Sequence, residues 1–174
     1  MASVLVASVA AASVAGGVLL AAPARAVPIA AGDEGTPCWG EQVAVNASST
    51  DSAAGHRRVV LTFSLVGGEP CTLSGYPSVD SGAGGPAIHA DDTPRGYMGG
   101  LPAGVDEPPN VILSVSTQAQ AIVEGLATDT AGNSCPTYTD LSVSPPGVNS
   151  VYTVPAIIEA CQLQVHPVTA GPSG

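Results

Sequence analysis

Apolar residues alternate with polar or small ones in short runs along residues 41–166, and no helical period is sustained there. Glu41 to Ser48 places Val43 and Val45 on one face. His56 to Val66 is the strongest run: Val59, Leu61, Phe63 and Leu65 alternate with Val60, Thr62, Ser64 and Val66. Both of its faces are apolar or small, which predicts a strand with neighbours on both sides. Gly67-Gly68 ends it. Cys71 to Leu73 reads as a short strand turned by Gly75-Tyr76-Pro77. Val111 to Val115 and Ala119 to Ala127 read as two more, joined through Ser116-Thr117-Gln118. Leu141 to Ser144 is stopped by Pro145-Pro146-Gly147, and Val151 to Val154 and Gln162 to His166 complete the set. Ala156 to Ala160 reads as a single helical turn. Short strands separated by turn signals predict an all-β chain, and an Ig-like antiparallel β-sandwich is the architecture expected.

Two stretches interrupt this pattern. Val27 to Pro37 is a Gly- and Ala-rich lead-in. Val79 to Pro109 is rich in Gly, Pro and Asp, and a structureless connection of that length is uncommon. A hairpin is expected around Ala87-Ile88-His89, followed by a surface excursion through Arg95-Gly96-Tyr97-Met98. Long excursions on a rigid scaffold carry function disproportionately. Arg95, Tyr97 and Met98 are therefore the candidate contacts of any binding site, against the simpler reading of a solvated connection.

The N-terminus changes the compartment. Val4 to Ala22 is uncharged and apolar, and Ala24-Arg25-Ala26 has the small-residue form of a signal-peptidase site. A signal peptide over 1–26 is expected, then the lead-in 27–37, one domain over 38–168 and a tail over 169–174. No stable membrane span is expected after cleavage, and no lipobox cysteine follows the apolar run. The expected location is secreted or extracytoplasmic, the cell envelope included.

Charge narrows the partners. The formal net charge is −10, lysine is absent, and Arg25, Arg57, Arg58 and Arg95 are the only arginines. Nucleic-acid binding needs a basic face to displace phosphate counterions, and this chain has none. Phe63, Trp39, Tyr76, Tyr97, Tyr138 and Tyr152 are its only aromatic residues of those types. A core so poor in large rings gains from covalent help. Cys38, Cys71, Cys135 and Cys161 make an even number in an exported chain, which reads as two disulfides. Three pairings are open. Cys38–Cys71 and Cys135–Cys161 are expected, because each closes a loop of modest length. No Cys-x-x-Cys pair supports a zinc site.

The order of an early Cys, the strand Val59-Val60-Leu61-Thr62-Phe63-Ser64-Leu65, the run Cys71-Thr72-Leu73-Ser74-Gly75-Tyr76-Pro77, the strand around Ala119-Gln120-Ala121, then Cys135 and Cys161 resembles an actinobacterial exported family. That family is catalogued as domain of unknown function 4232. The resemblance spans about Cys38 to Val168, and Cys71–Pro77 is its most specific part. It implies an extracytoplasmic protein. It implies no activity and transfers no catalytic residues. Members are often lipoproteins, from which this chain departs. Physically, the run reads as a stapled corner: Gly75 permits the turn, Pro77 fixes the exit, and Tyr76 is expected to cover the disulfide and reach a backbone carbonyl.

No Gly-x-Ser-x-Gly elbow, His-Glu-x-x-His, phosphate-binding loop or EF-hand loop is present. His56, His89 and His166 lie on different elements. No metal or cofactor is expected, and the acidic doublets Asp33-Glu34, Asp91-Asp92 and Asp106-Glu107 read as solvated loop charge. The function expected is a non-catalytic binding domain whose partner is an extracytoplasmic protein or a glycan. The alternatives are a secreted serine hydrolase and a passive envelope component.

Overall fold

The computed structural model describes residues 35–172. The expected signal peptide 1–26, all but the end of the lead-in, and the last two residues lie outside the described residues. A 3-10 turn over Gly40–Gln42 precedes twelve strands. They are β1 Val43–Ala47, β2 Asp51–Ala53, β3 His56–Leu65, β4 Cys71–Leu73, β5 Ser78–Ser81, β6 Ile88–Asp92, β7 Val111–Leu113, β8 Ala119–Leu126, β9 Thr137–Ser144, β10 Tyr152–Glu159, β11 Leu163–Val165 and β12 Thr169–Ala170.

The period-two pattern sets the inside of the molecule. Val59, Leu61 and Phe63 of β3 are buried, as are Ala119, Ala121 and Val123 of β8 opposite them. Leu141 and Val143 of β9, Val154 and Ile158 of β10, and Leu163 and Val165 of β11 complete the same core. β3 has neighbours on both sides, pairing with β1 and β2 on one edge and β8 on the other.

The architecture is not the expected Ig-like β-sandwich. Two sheets packed face to face would each keep two edges. Here the strands follow one path, β1-β3-β8-β11-β6-β5-β9-β10, with β2 and β12 paired to β3 and β8 beside it. The two ends of that path meet, since β1 lies against β10. The Tyr152 hydroxyl donates to the Gly40 carbonyl across this seam, and the Thr50 hydroxyl donates to the Ile157 carbonyl. The result is a nearly closed barrel. The strand that joins its halves is β6, antiparallel to β5 and parallel to β11. Only Ala90 of β6 is buried. The alternation signal on which the sandwich expectation rests is therefore almost silent in the one strand that decides between the two architectures.

Ala156 to Ala160 is likewise extended rather than helical. β10 runs through Glu159, with a register shift between Pro155 and Ile158. Pro155 cannot donate to a ladder, and the bulge beside it breaks the alternation that would mark a strand.

Both expected disulfides form, Cys38–Cys71 and Cys135–Cys161. The first fastens the entering chain to β4. Cys38 N–H donates to Thr72 O, and Thr72 N–H donates to Thr36 O. β4 and β7 form a separate ribbon whose Cys71, Leu73, Val111 and Leu113 join the core. Gly75 takes φ +100°, a region that costs other residues a Cβ clash, and its carbonyl accepts from Val168 N–H. The Tyr76 hydroxyl does not reach the backbone carbonyl expected of it. No hydrogen bond engages its hydroxyl among the described residues. Burial, and then the Asp92 carboxylate, raise its pKa.

Candidate functional site

The excursion folds back onto the barrel around Met98, while Tyr97 and the stretch from Pro102 to Glu107 stay exposed. After β6 the chain runs on beside β11, where Thr93 N–H donates to Val165 O. It then makes a tight loop in which Gly96 N–H donates to Gly99 O and Leu101 N–H to Pro94 O. Arg95 holds this loop together. Its Nη2 donates to Val105 O at 2.5 Å and to Asp106 Oδ1 at 2.7 Å, and its Nε donates to Leu101 O at 3.4 Å. Arg95 is thus a clasp inside the excursion, with its Nε and Nη2 donors engaged there.

The loop lies on the outer face of the barrel wall, and one carboxylate fixes it there. Period two places Glu124 on the outer face of β8, where a strand residue is ordinarily solvated. Glu124 is instead only 3 % exposed. Met98 N–H donates to its Oε2 at 2.9 Å, and Tyr97 N–H to its Oε1 at 3.2 Å. His56 Nδ1 lies 2.5 Å from Oε1, and His166 Nε2 lies 3.3 Å from Oε2. His166 is itself buried, and its Nδ1 meets both the Thr93 carbonyl and hydroxyl, at 3.0 and 3.1 Å. Three elements therefore converge on one acidic side chain: β3 through His56, the segment after β11 through His166, and the excursion through two backbone amides.

Burial pushes the Glu124 pKa up. The Met98 amide, the His166 and His56 rings and the Tyr97 amide act against it, and together they hold the carboxyl below the usual range. The group is ionised at neutral pH, and its charge is matched by donors. Arg58, its cross-strand partner on β3, pairs with Asp51 instead.

The excursion reaches this depth because Gly96 has no side chain. A Cβ there would lie 2.3 Å from Glu124 Oε2 and 2.7 Å from His166 Nε2. Gly96→Ala is expected to lift the loop off the wall and to cost about 2 kcal/mol. Urea unfolding measures the cost, and faster hydrogen exchange at the Tyr97 and Met98 amides reports the lifting. Unchanged exchange at both amides would show that the loop does not depend on this approach.

The lock displays Tyr97. Its ring stacks on His56 with centroids 4.4 Å apart and planes 16° from parallel, while 63 % of the residue remains exposed. Beside His56 lies a small hollow bordered by Gly125, Leu126, Gln162 and Gln164. Leu126 and Gln162 also line an adjoining groove of about 340 Å³ that continues to Thr128, Asp129 and Thr130. Of the three sequence candidates, Tyr97 is the exposed one, Met98 contributes its backbone to the lock, and Arg95 closes the loop. Sequence reasoning missed Glu124, and with it the joining of His56 and His166. The available signal was a carboxylate inside the apolar run Ala121-Ile122-Val123-Glu124-Gly125-Leu126.

A second, larger groove of about 700 Å³ follows the barrel seam, between Ala47–Thr50 and Pro155–Ile157. No aromatic side chain lines it. The Ser48 and Thr50 hydroxyls donate to backbone carbonyls, and Arg57 is paired with Glu159. Among the described residues, no three His, Cys, Asp or Glu side chains are grouped to hold a metal ion. No described helix is long and apolar enough to cross a membrane.

No curated protein and no solved structure matches the chain. A family does. The profile described as Domain of unknown function (DUF4232) matches residues 38–172, from the first cysteine through β12, and the chain belongs to that family.

Proposed function

We propose that this chain is an exported, non-catalytic binding domain whose contact surface is the Tyr97 ring and the groove beside it. The observation that carries this reading is the presentation of Tyr97. An aromatic residue left largely exposed is held in one orientation by stacking on a histidine that is itself fixed to a buried carboxylate. Burying a charged side chain is costly unless it is fully paired. Four donors converge on Glu124, and what they order is a loop carrying one exposed ring. Preorganised aromatic side chains supply contact area at low entropic cost.

The non-catalytic part of the reading has its own support. The His56 and His166 nitrogens nearest Glu124 are committed to it, and His166 is closed off from solvent. His56 keeps its second ring nitrogen free, but the hollow beside it is bordered by Gly125, Leu126, Gln162 and Gln164 and by no serine or thiol nucleophile that this nitrogen could activate. The export part rests on the two disulfides, which persist in oxidising compartments.

The test is affinity capture from native envelope and culture filtrate with the immobilised protein and its Tyr97→Ala variant. The native chain is expected to retain a specific component that the variant loses, with both unfolding at the same urea concentration. Equal retention by the two would remove Tyr97 from the contact surface. Labelling by a broad serine-reactive probe would overturn the non-catalytic assignment.

A further inference from the structure

We infer that the groove running from the hollow beside His56 to Thr130 takes an uncharged carbohydrate. This rests on the binding reading above and adds the class of ligand. The argument begins with charge. An anionic ligand needs a free cation, and Arg57, Arg58 and Arg95 are each paired, with Glu159, Asp51 and Asp106. A cationic ligand needs a free carboxylate. The two carboxylates that border the groove are already committed. Glu124 accepts from the Tyr97 and Met98 amides and faces His56 and His166. Asp129 accepts from the Ala131 and Asn133 amides and the Asn133 side chain. That turn also holds the Asp129 carboxyl below its ordinary value, chiefly through Asn133.

The groups left for a ligand are neutral. β11 pairs with β8 so that Gln164 lies opposite Glu124. Period two then puts Gln162 on the same outer face as Gln164. No hydrogen bond engages either side-chain amide among the described residues, nor the Thr128 and Thr130 hydroxyls. Each amide offers two donors and an acceptor. The Tyr97 ring stacks on His56, which lines the hollow together with Gln162 and Gln164. A sugar ring presents an apolar C–H face and a rim of hydroxyls that both donate and accept. A flat electron-rich ring at the His56 end, with primary amides and threonine hydroxyls along the groove, matches both surfaces.

A protein partner fits less well. Stable protein interfaces have an apolar centre and about 800 Å² on each side. Of the exposed large hydrophobic residues Trp39, Val66, Tyr97, Val105, Ile112, Val115, Val151 and Ile157, only Tyr97 stands at this site, through its stack on His56, so the groove has no apolar centre of that size.

The experiment is an NMR titration of the isotope-labelled protein with maltohexaose, cellohexaose, mannohexaose and chitohexaose. A heparin hexasaccharide and a polyuronate serve as charged counterparts. At least one neutral oligosaccharide is expected to shift the side-chain amide signals of Gln162 and Gln164 and the ring signals of Tyr97. Tyr97→Ala is expected to weaken that binding about tenfold, and Gln164→Ala about threefold to tenfold, with backbone spectra that show both variants folded. Binding of only the charged sugars would overturn the inference, as would shifts confined to the seam groove. If no sugar shifts these signals while Tyr97-dependent capture of an envelope protein persists, the carbohydrate assignment fails and the binding surface stands. Loss of both overturns both.

Discussion

Replacing Cys38 and Cys71 together by Ala is expected to lower the unfolding free energy by more than the chain-entropy contribution of the bond, about 3.5 kcal/mol. The two disulfides close loops of similar length, with sequence separations of 33 and 26. Loop length alone therefore assigns them nearly equal effects. Packing separates them. Cys71 lies on β4 and both Cys38 and Cys71 belong to the buried core cluster, whereas Cys135 is buried outside that cluster and Cys161 is exposed. Removing the first pair also leaves unfilled volume, and residual cavities add to the cost. It further loosens the Thr36–Cys38 stretch, which only the Thr72 backbone bonds would then hold. The Cys135→Ala and Cys161→Ala pair is expected to show the entropic contribution with little more. Urea unfolding of both double variants under one set of conditions makes the comparison. A Cys135–Cys161 variant equal to or less stable than the Cys38–Cys71 variant would remove the packing argument. Domains of this size are stable by about 5–15 kcal/mol. Full reduction, read as a gain of about four hydrogens in intact mass, is accordingly expected to bring the domain close to unfolding.

The strands were legible where one face is buried and the other is not. β3 carries that alternation from Val59 to Phe63 and β8 from Ala119 to Val123, and β1, β4 and β7 carry it in short form. The cysteine pairing was legible as well, because the expected loops join segments that the strand order brings together. Closure was not. It depends on β6, where the expected hairpin around Ala87-Ile88-His89 is found as the antiparallel β5–β6 pair, but where Ile88, His89, Asp91 and Asp92 are not buried and so give no sign of a second neighbour. The parallel backbone pairing of β6 to β11 needs no apolar side chain, so residue pattern carries no trace of it.

The site was legible only in location. The excursion was marked by its length and by its Gly and Pro content, but the groups that hold it come from β3, β8 and the chain after β11. Those positions are far apart in sequence. Glu124 looked like an outward-facing strand residue because it is one. What buries it is a loop whose path the local sequence does not encode.

That burial makes Glu124 the residue whose loss the loop should feel most. Glu124→Ala would leave the Met98 and Tyr97 amides and the His56 and His166 rings facing a void. Removing one partner of a buried, hydrogen-bonded charge costs about 3–5 kcal/mol. Glu124→Gln keeps the volume and one carbonyl acceptor, but turns two donors toward the remaining amide and ring nitrogen. It is expected to cost about half as much. In both variants the Tyr97 and Met98 amides should exchange with solvent many times faster, while amides of β3 and β9 slow or quicken only with global stability. The pH dependence follows from the direction of the Glu124 shift. Its folded-state pKa lies below the ordinary carboxylate value of about 4.3, held there by the donors that outweigh burial. Its contribution is therefore present in full above that value and is lost as pH falls through the lower folded-state pKa. The stability gap between the native chain and Glu124→Gln should be constant at neutral pH and narrow in acid. A gap that stays unchanged through that acid range, or amides protected equally in both proteins, would mean that the excursion is held to the barrel by something other than this carboxylate.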